Sequence, residues 1–199
     1  MLLCSEILIA IYRFLPLLQN RLYMAKLYIN KDIVADKDKM ENWYLTGEEG
    51  LSFPDIQNFL SWIDPNDHVI DIEIHSCGGD AVEGYAIYDA LRASGKQISC
   101  TAVGRCASMA TVILLAAAKE RRFAYPHAKF LIHKPYMASY DGDLDLETLE
   151  SIKSNLESEK NKMLALYVER TGSEASVIEA QMNKAGWFGG ETAKQLGFI

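Results

Sequence analysis

The run "HVIDIEIHSCGGDAVEGYAIYDALRASGKQISCTAVGRCASMATVILLAAAKE", residues 68–120, limits the possible folds more than any other part of the chain. Val69, Ile70, Ile72 and Ile74 alternate with polar residues, the period of a strand with one face more buried than the other. Cys77-Gly78-Gly79 reads as a turn, and "AVEGYAIYDALRASG" as a helix ending near Gly95. "QISCTAVG" reads as the next strand with Gly104 as its breaker, and a small, apolar helix follows from Ser108. Strands alternating with helices predict parallel strands joined by crossover connections. Ligands of such sheets sit at the carboxyl ends of the strands. Both glycine turns, Cys77-Gly78-Gly79 and Gly104 to Ala107, fall on that expected working edge.

The flanking segments extend the pattern. "AKLYINKDIV" alternates as a strand, and "SFPDIQNFLSWI" places Ser52 ahead of Pro54 as a helix start. "RRFAYPHAKFLIH" reads as two short strands broken at Pro126. A long helix is expected from Asp143 to Arg170 with Gly172 as its stop. Two short helices and a final strand, "GFI", close the chain.

With 199 residues, the chain is one large domain or a domain with an appendage. A net charge of −7 and a pI near 5.1 argue against a nucleic-acid binder, which usually carries a basic face. The four cysteines, Cys4, Cys77, Cys100 and Cys106, contain no CxxC pair, which favours reduced thiols and a cytoplasmic setting. Residues 1–23 stand apart. Glu6 and Arg13 interrupt their apolar run, which suits neither a membrane span nor a clear export signal. A translation start at Met24 and an amphipathic docking segment are the other two readings of this extension. The expected domain is 24–199, with no membrane partner.

The polar residues on the working edge carry the chemistry. Gly78 and Gly79 match neither a P-loop nor a dinucleotide fingerprint, so no nucleotide or other cofactor is expected. Ser108 alone reads first as a helix cap, and His133 alone as a structural histidine. Together they are more informative, because a hydroxyl nucleophile needs a base within hydrogen-bond reach. His75, Cys77 and Asp80, with His127 and His133, offer a competing zinc site but lack paired ligand spacing, so no metal is expected. Cys77 or Cys106 as nucleophile is a weaker alternative, since buried thiols are usually inert packing. Asp141, Asp143 and Asp145 do not fit a calcium loop and read instead as an acidic helix start.

Three segments, "EIHSCGGDAVEGYAIYDAL", "GRCASMATVILLAAAKERRFAYPHAKFLIHKP" and "WFGGETAKQLGFI", together resemble the ClpP-like serine peptidases, the phage head-maturation branch most nearly. The resemblance spans about residues 26–199. It implies an α/β fold, a ClpP/crotonase-like spiral of β-β-α units with a protruding handle helix. It implies Ser108 as nucleophile, His133 as general base, and the amides of Gly79 and Met109 as oxyanion donors. It also implies a homo-oligomer of stacked rings, polypeptide substrates, and either an ATP-dependent unfoldase or phage head proteins as partners. Two positions depart from the family pattern. Cys77 stands where proline is usual, and the position of the triad acid, two residues before Trp187, is Ala185. Asn183 is a neutral stand-in for that acid. An inactive assembly protein on the same fold, and a crotonase-type acyl-CoA enzyme, are the alternative functions.

Overall fold

A computed structural model describes residues 24–199 apart from 48, 138, 139 and 141, so the N-terminal extension and Asp141 lie outside the described residues. Strand β1 (Met24–Ile29) pairs in parallel with β2 (Val69–Ser76), and β2 in parallel with β3 (Gln97–Ala107). β3 is long enough to pair first with β4 (Arg122–Ala124) and then with β5 (Lys129–Leu131), both parallel. β6 (Phe188–Gly189) runs antiparallel along the far side of β5. Among the described residues these six strands make one sheet, ordered β1-β2-β3-β5-β6 with β4 beside β3.

The sheet buries one face. Leu27, Ile29, Ile70, Ile72, Ile74, Ile98, Cys100 and Ala102 point into the core, against α3 (Ala81–Ala93) and α4 (Met109–Leu114). All six residues of α4 are buried, and all but Thr111 are apolar. The other face carries Lys26, Tyr28, Asp71, Glu73, His75, Thr101 and Phe123, and no helix among the described residues covers it. Lys26 spans Asp71 and Glu73 there.

The remaining helices frame this unit. α1 (Lys39–Thr46) has no buried residue, and its weak apolar pattern gave no warning of it in the sequence. α2 (Phe53–Trp62) starts as expected at Ser52, in a capping box with Asp55. The long helix α5 (Leu146–Thr171) starts later than Asp143, because the Asp145 carboxylate serves as its cap and accepts the Thr148 N–H at 2.7 Å. Gly172 stops it in a left-handed conformation, as expected. α6 (Ala175–Lys184) and α7 (Gly190–Gln195) follow.

Two expectations are corrected. Gly104 does not break β3, which continues to Ala107. A Cβ at Gly104 would lie 2.2 Å from His75 Nδ1, so the missing side chain makes room for the neighbouring ring. A register shift between Ile74 and Ser76 absorbs the irregularity. Nor is the closing "GFI" a strand. Gly197 turns back at φ 75° to end α7, and Phe198 is buried edge-on to Tyr167, 5.4 Å between ring centres.

Candidate active site

Ser108 follows β3 and stands at the N-cap position of α4, but its side chain does not cap the helix. Its hydroxyl makes no capping bond, and its backbone sits at φ 52°, ψ −125°. A non-glycine residue in this region is strained by about 1–3 kcal/mol and persists only where the surroundings hold it. Its own N–H donates to the Leu131 carbonyl at 2.8 Å, continuing the β3–β5 pairing. Its carbonyl accepts from the Thr111 N–H at 2.9 Å and from Thr111 Oγ1 at 2.6 Å. That hydroxyl has one hydrogen, already given to Ser108, so the Tyr167 O–H must donate to Thr111 Oγ1 across 2.7 Å. Burial pushes the Tyr167 phenol up, so it keeps the proton this chain needs. Thr111 and Tyr167 were not singled out in the sequence, where nothing marks a threonine in an apolar helix as a backbone clamp.

The glycine turn abuts this strained residue. A Cβ on Gly78 would lie 2.6 Å from the Ala107 oxygen, 2.7 Å from the Met109 nitrogen and 2.8 Å from Ser108 Cβ. Only glycine lets the two turns approach so closely. Buried Ser76 sets the turn, donating to the Lys31 carbonyl at 2.7 Å and accepting the Gly78 N–H at 3.0 Å. Ile33 bridges it from outside, with bonds to the Gly78 carbonyl and the Asp80 N–H, both 2.8 Å. The amides of Gly78 and Asp80 are thus occupied. Those of Gly79 and Met109 have no protein acceptor among the described residues.

His133 lies two residues beyond β5. The parallel register ends at Ala107 opposite Leu131, so Ser108 and His133 leave neighbouring strands at the same sheet edge. His133 Nδ1 lies 2.6 Å from the Lys134 carbonyl oxygen, and the imidazole tilts against Tyr136 with 5.5 Å between ring centres.

The other candidates are placed elsewhere or otherwise engaged. Ala185 is exposed and left-handed (φ 46°, ψ 35°) where α6 ends. Asn183 is exposed in the last turn of α6 and makes no hydrogen bond to His133. His75 lies on the open face of β2 and Cys77 is exposed in the turn that follows it, whereas Asp80 caps α3 by accepting the Glu83 N–H at 2.9 Å. His127 precedes β5 and His133 follows it, so these two histidines lie at opposite ends of one strand. Cys106 is fully buried, and burial pushes its thiol well up, which removes it as a nucleophile.

Comparison with known proteins joins this geometry to a family. Residues 55–199 match the Clp protease family. The chain belongs to the Clp protease family. It is 30% identical over 145 residues to the ATP-dependent Clp protease proteolytic subunit 1 of Chlamydia abortus, covering 71% of this chain and 72% of that one. The subunit of the same description from Chlamydia caviae is 32% identical over 130 residues, covering 63% and 65%. Among solved structures, a point mutant of ClpP1 from Listeria monocytogenes superposes with a TM-score of 0.70 at 20% identity, over 94% of this chain and 92% of that one. The fold is therefore ClpP-like, as the sequence resemblance implied.

Proposed function

We propose that this chain is a serine endopeptidase that hydrolyses peptide bonds inside an oligomeric chamber. The observation that carries the reading is the strained Ser108 backbone, clamped at one sheet edge with His133 and the Gly78–Gly79 turn. In the proposed mechanism the Ser108 hydroxyl gives its proton to His133 Nε2 as its oxygen attacks the scissile carbonyl. The N–H groups of Gly79 and Met109 donate to the resulting oxyanion, and one such donor is typically worth about 3–4 kcal/mol. His133 then returns the proton to the leaving amine, and water releases the acyl group by the same steps in reverse. No metal or cofactor takes part.

Assembly is part of the proposal. Parallel sheets normally have both faces covered, and here the described residues leave one face open. Helix α5 has no buried residue before Met163, and Leu146 and Leu149 on its outer half are 81% and 47% exposed. Further copies of the chain are the occupants we propose for these surfaces, arranged as stacked rings. Polypeptides are the proposed substrates, delivered by an ATP-driven unfoldase in a cytoplasmic setting or drawn from phage head proteins. Among the described residues, no helix is long and apolar enough to cross a membrane.

A second reading is an inactive assembly protein on the same fold, and the missing carboxylate at Ala185 is what favours it. Peptide hydrolysis by the assembled protein separates the two. Ser108→Ala and His133→Ala are each expected to abolish it, and the double variant to lose no more than either, because nucleophile and base act as a unit. Full activity in Ser108→Ala would overturn the assignment.

A further inference from the structure

Resting on the assignment of Ser108 and His133 as nucleophile and base, we propose that the backbone carbonyl of Lys134 orients His133 in the role an acidic side chain plays in a triad. A carbonyl can only accept a hydrogen bond, so the 2.6 Å contact requires the hydrogen on Nδ1. In the neutral ring Nε2 is then left with its lone pair, the form a general base must present to a serine hydroxyl.

The surroundings support this role. Lys134 precedes Pro135, and the proline ring restricts the residue before it to extended conformations. The direction of the Lys134 carbonyl is thereby limited by covalent structure. The Tyr136 ring packs on the imidazole from the same loop. Among the described residues, no other acceptor forms a hydrogen bond with His133. β6 pairs Gly189 with Lys129 and Phe188 with Phe130 and extends no further, and Ala185 stands three residues before it, at the left-handed end of α6. Its methyl group accepts nothing. Among the described residues, no carboxylate forms an ion pair with His133. Lys134 thus fixes the tautomer and ring orientation without supplying a negative charge.

The test reads the tautomer directly. Two-bond nitrogen–proton correlation spectra of the full-length, histidine-labelled protein, with His133 assigned by its loss in His133→Gln, should show the neutral ring protonated on Nδ1. Protonation on Nε2 would overturn the proposal. Pro135→Gly frees Lys134, and is expected to mix the tautomers and slow fluorophosphonate acylation of Ser108 by about tenfold, with Ala185→Asp in that background restoring the rate. Unchanged spectra and rates in Pro135→Gly would also overturn it. Ala185→Asp alone should raise acylation by about tenfold at most, since the orienting part of the triad effect is already present. A gain beyond about a hundredfold would mean that His133 lacks an orienting partner in the parent protein. If Ser108 takes no label in any variant, the nucleophile assignment falls, while the spectrum of the parent protein still decides whether Lys134 orients the ring.

Discussion

Ser108 is held in place by groups on three elements, and Thr111 is the one whose loss is most informative. Thr111→Val removes the second bond to the Ser108 carbonyl and leaves the Tyr167 hydroxyl, fully buried, without an acceptor. A buried polar group left unpaired costs about 1–3 kcal/mol. We expect a loss of that size in denaturant unfolding, together with slower acylation of Ser108; an unchanged midpoint would show that the clamp is not made. That Ser108 and His133 leave neighbouring strands at one sheet edge was legible in the sequence, because each follows a strand pattern. The backbone strain at Ser108 was not legible. Serine has no signature for positive φ, and the residues that hold it, Leu131, Thr111 and Tyr167, come from distant parts of the chain. The Lys134 carbonyl was invisible for a related reason, since main-chain acceptors are the same at every residue.

Elements whose ends carry local chemistry were the most readable. Ser52 with Pro54 marked the start of α2, and the structure adds Lys39, which reaches the Asp55 carboxylate of the capping box at 2.8 Å. Burial pushes the Asp55 carboxyl up, but the Lys39 ammonium and the Ser52 N–H outweigh it and hold the group below its ordinary range. A folded value lowered in this way adds stability above the unfolded value, near pH 4, and the contribution is lost as pH falls through the folded value. Asp55→Asn should therefore cost about 1 kcal/mol at pH 7, the usual worth of a cap, and nearly nothing once the carboxyl is protonated. Urea unfolding of both proteins at pH 7 and in acid checks this; an equal cost at both would mean that the charge is not what matters. Elements set by tertiary contact were read less well. β3 runs through Gly104 because the His75 ring fills the space, which no local pattern conveys. α1 lacks a buried face, so it left no periodicity to find. The closing strand was misplaced because β6 has only two residues, and Phe198 is drawn into the core by Tyr167 rather than into a sheet.

At the scale of the molecule, the open sheet face and the bare outer half of α5 are the features that the described residues leave uncovered. If copies of the chain cover them, sedimentation equilibrium at micromolar concentration should show a homo-oligomer. Leu149→Asp, on the exposed side of α5, should shift it toward smaller species without altering the fold of the monomer. A monomeric parent protein would contradict the assembly. The α/β class and the working edge were readable from the order of strands and helices, since crossover connections leave few topologies open. What covers the open face was not, because its residues alternate polar and apolar like any solvated strand. The decisive observation for the whole proposal is covalent. The assembled protein is incubated with a fluorophosphonate, digested, and the adduct mapped by mass spectrometry. Modification of Ser108, absent in His133→Ala, is the expected result, and a folded oligomer that takes no label at Ser108 would contradict the assignment of this chain as a serine peptidase.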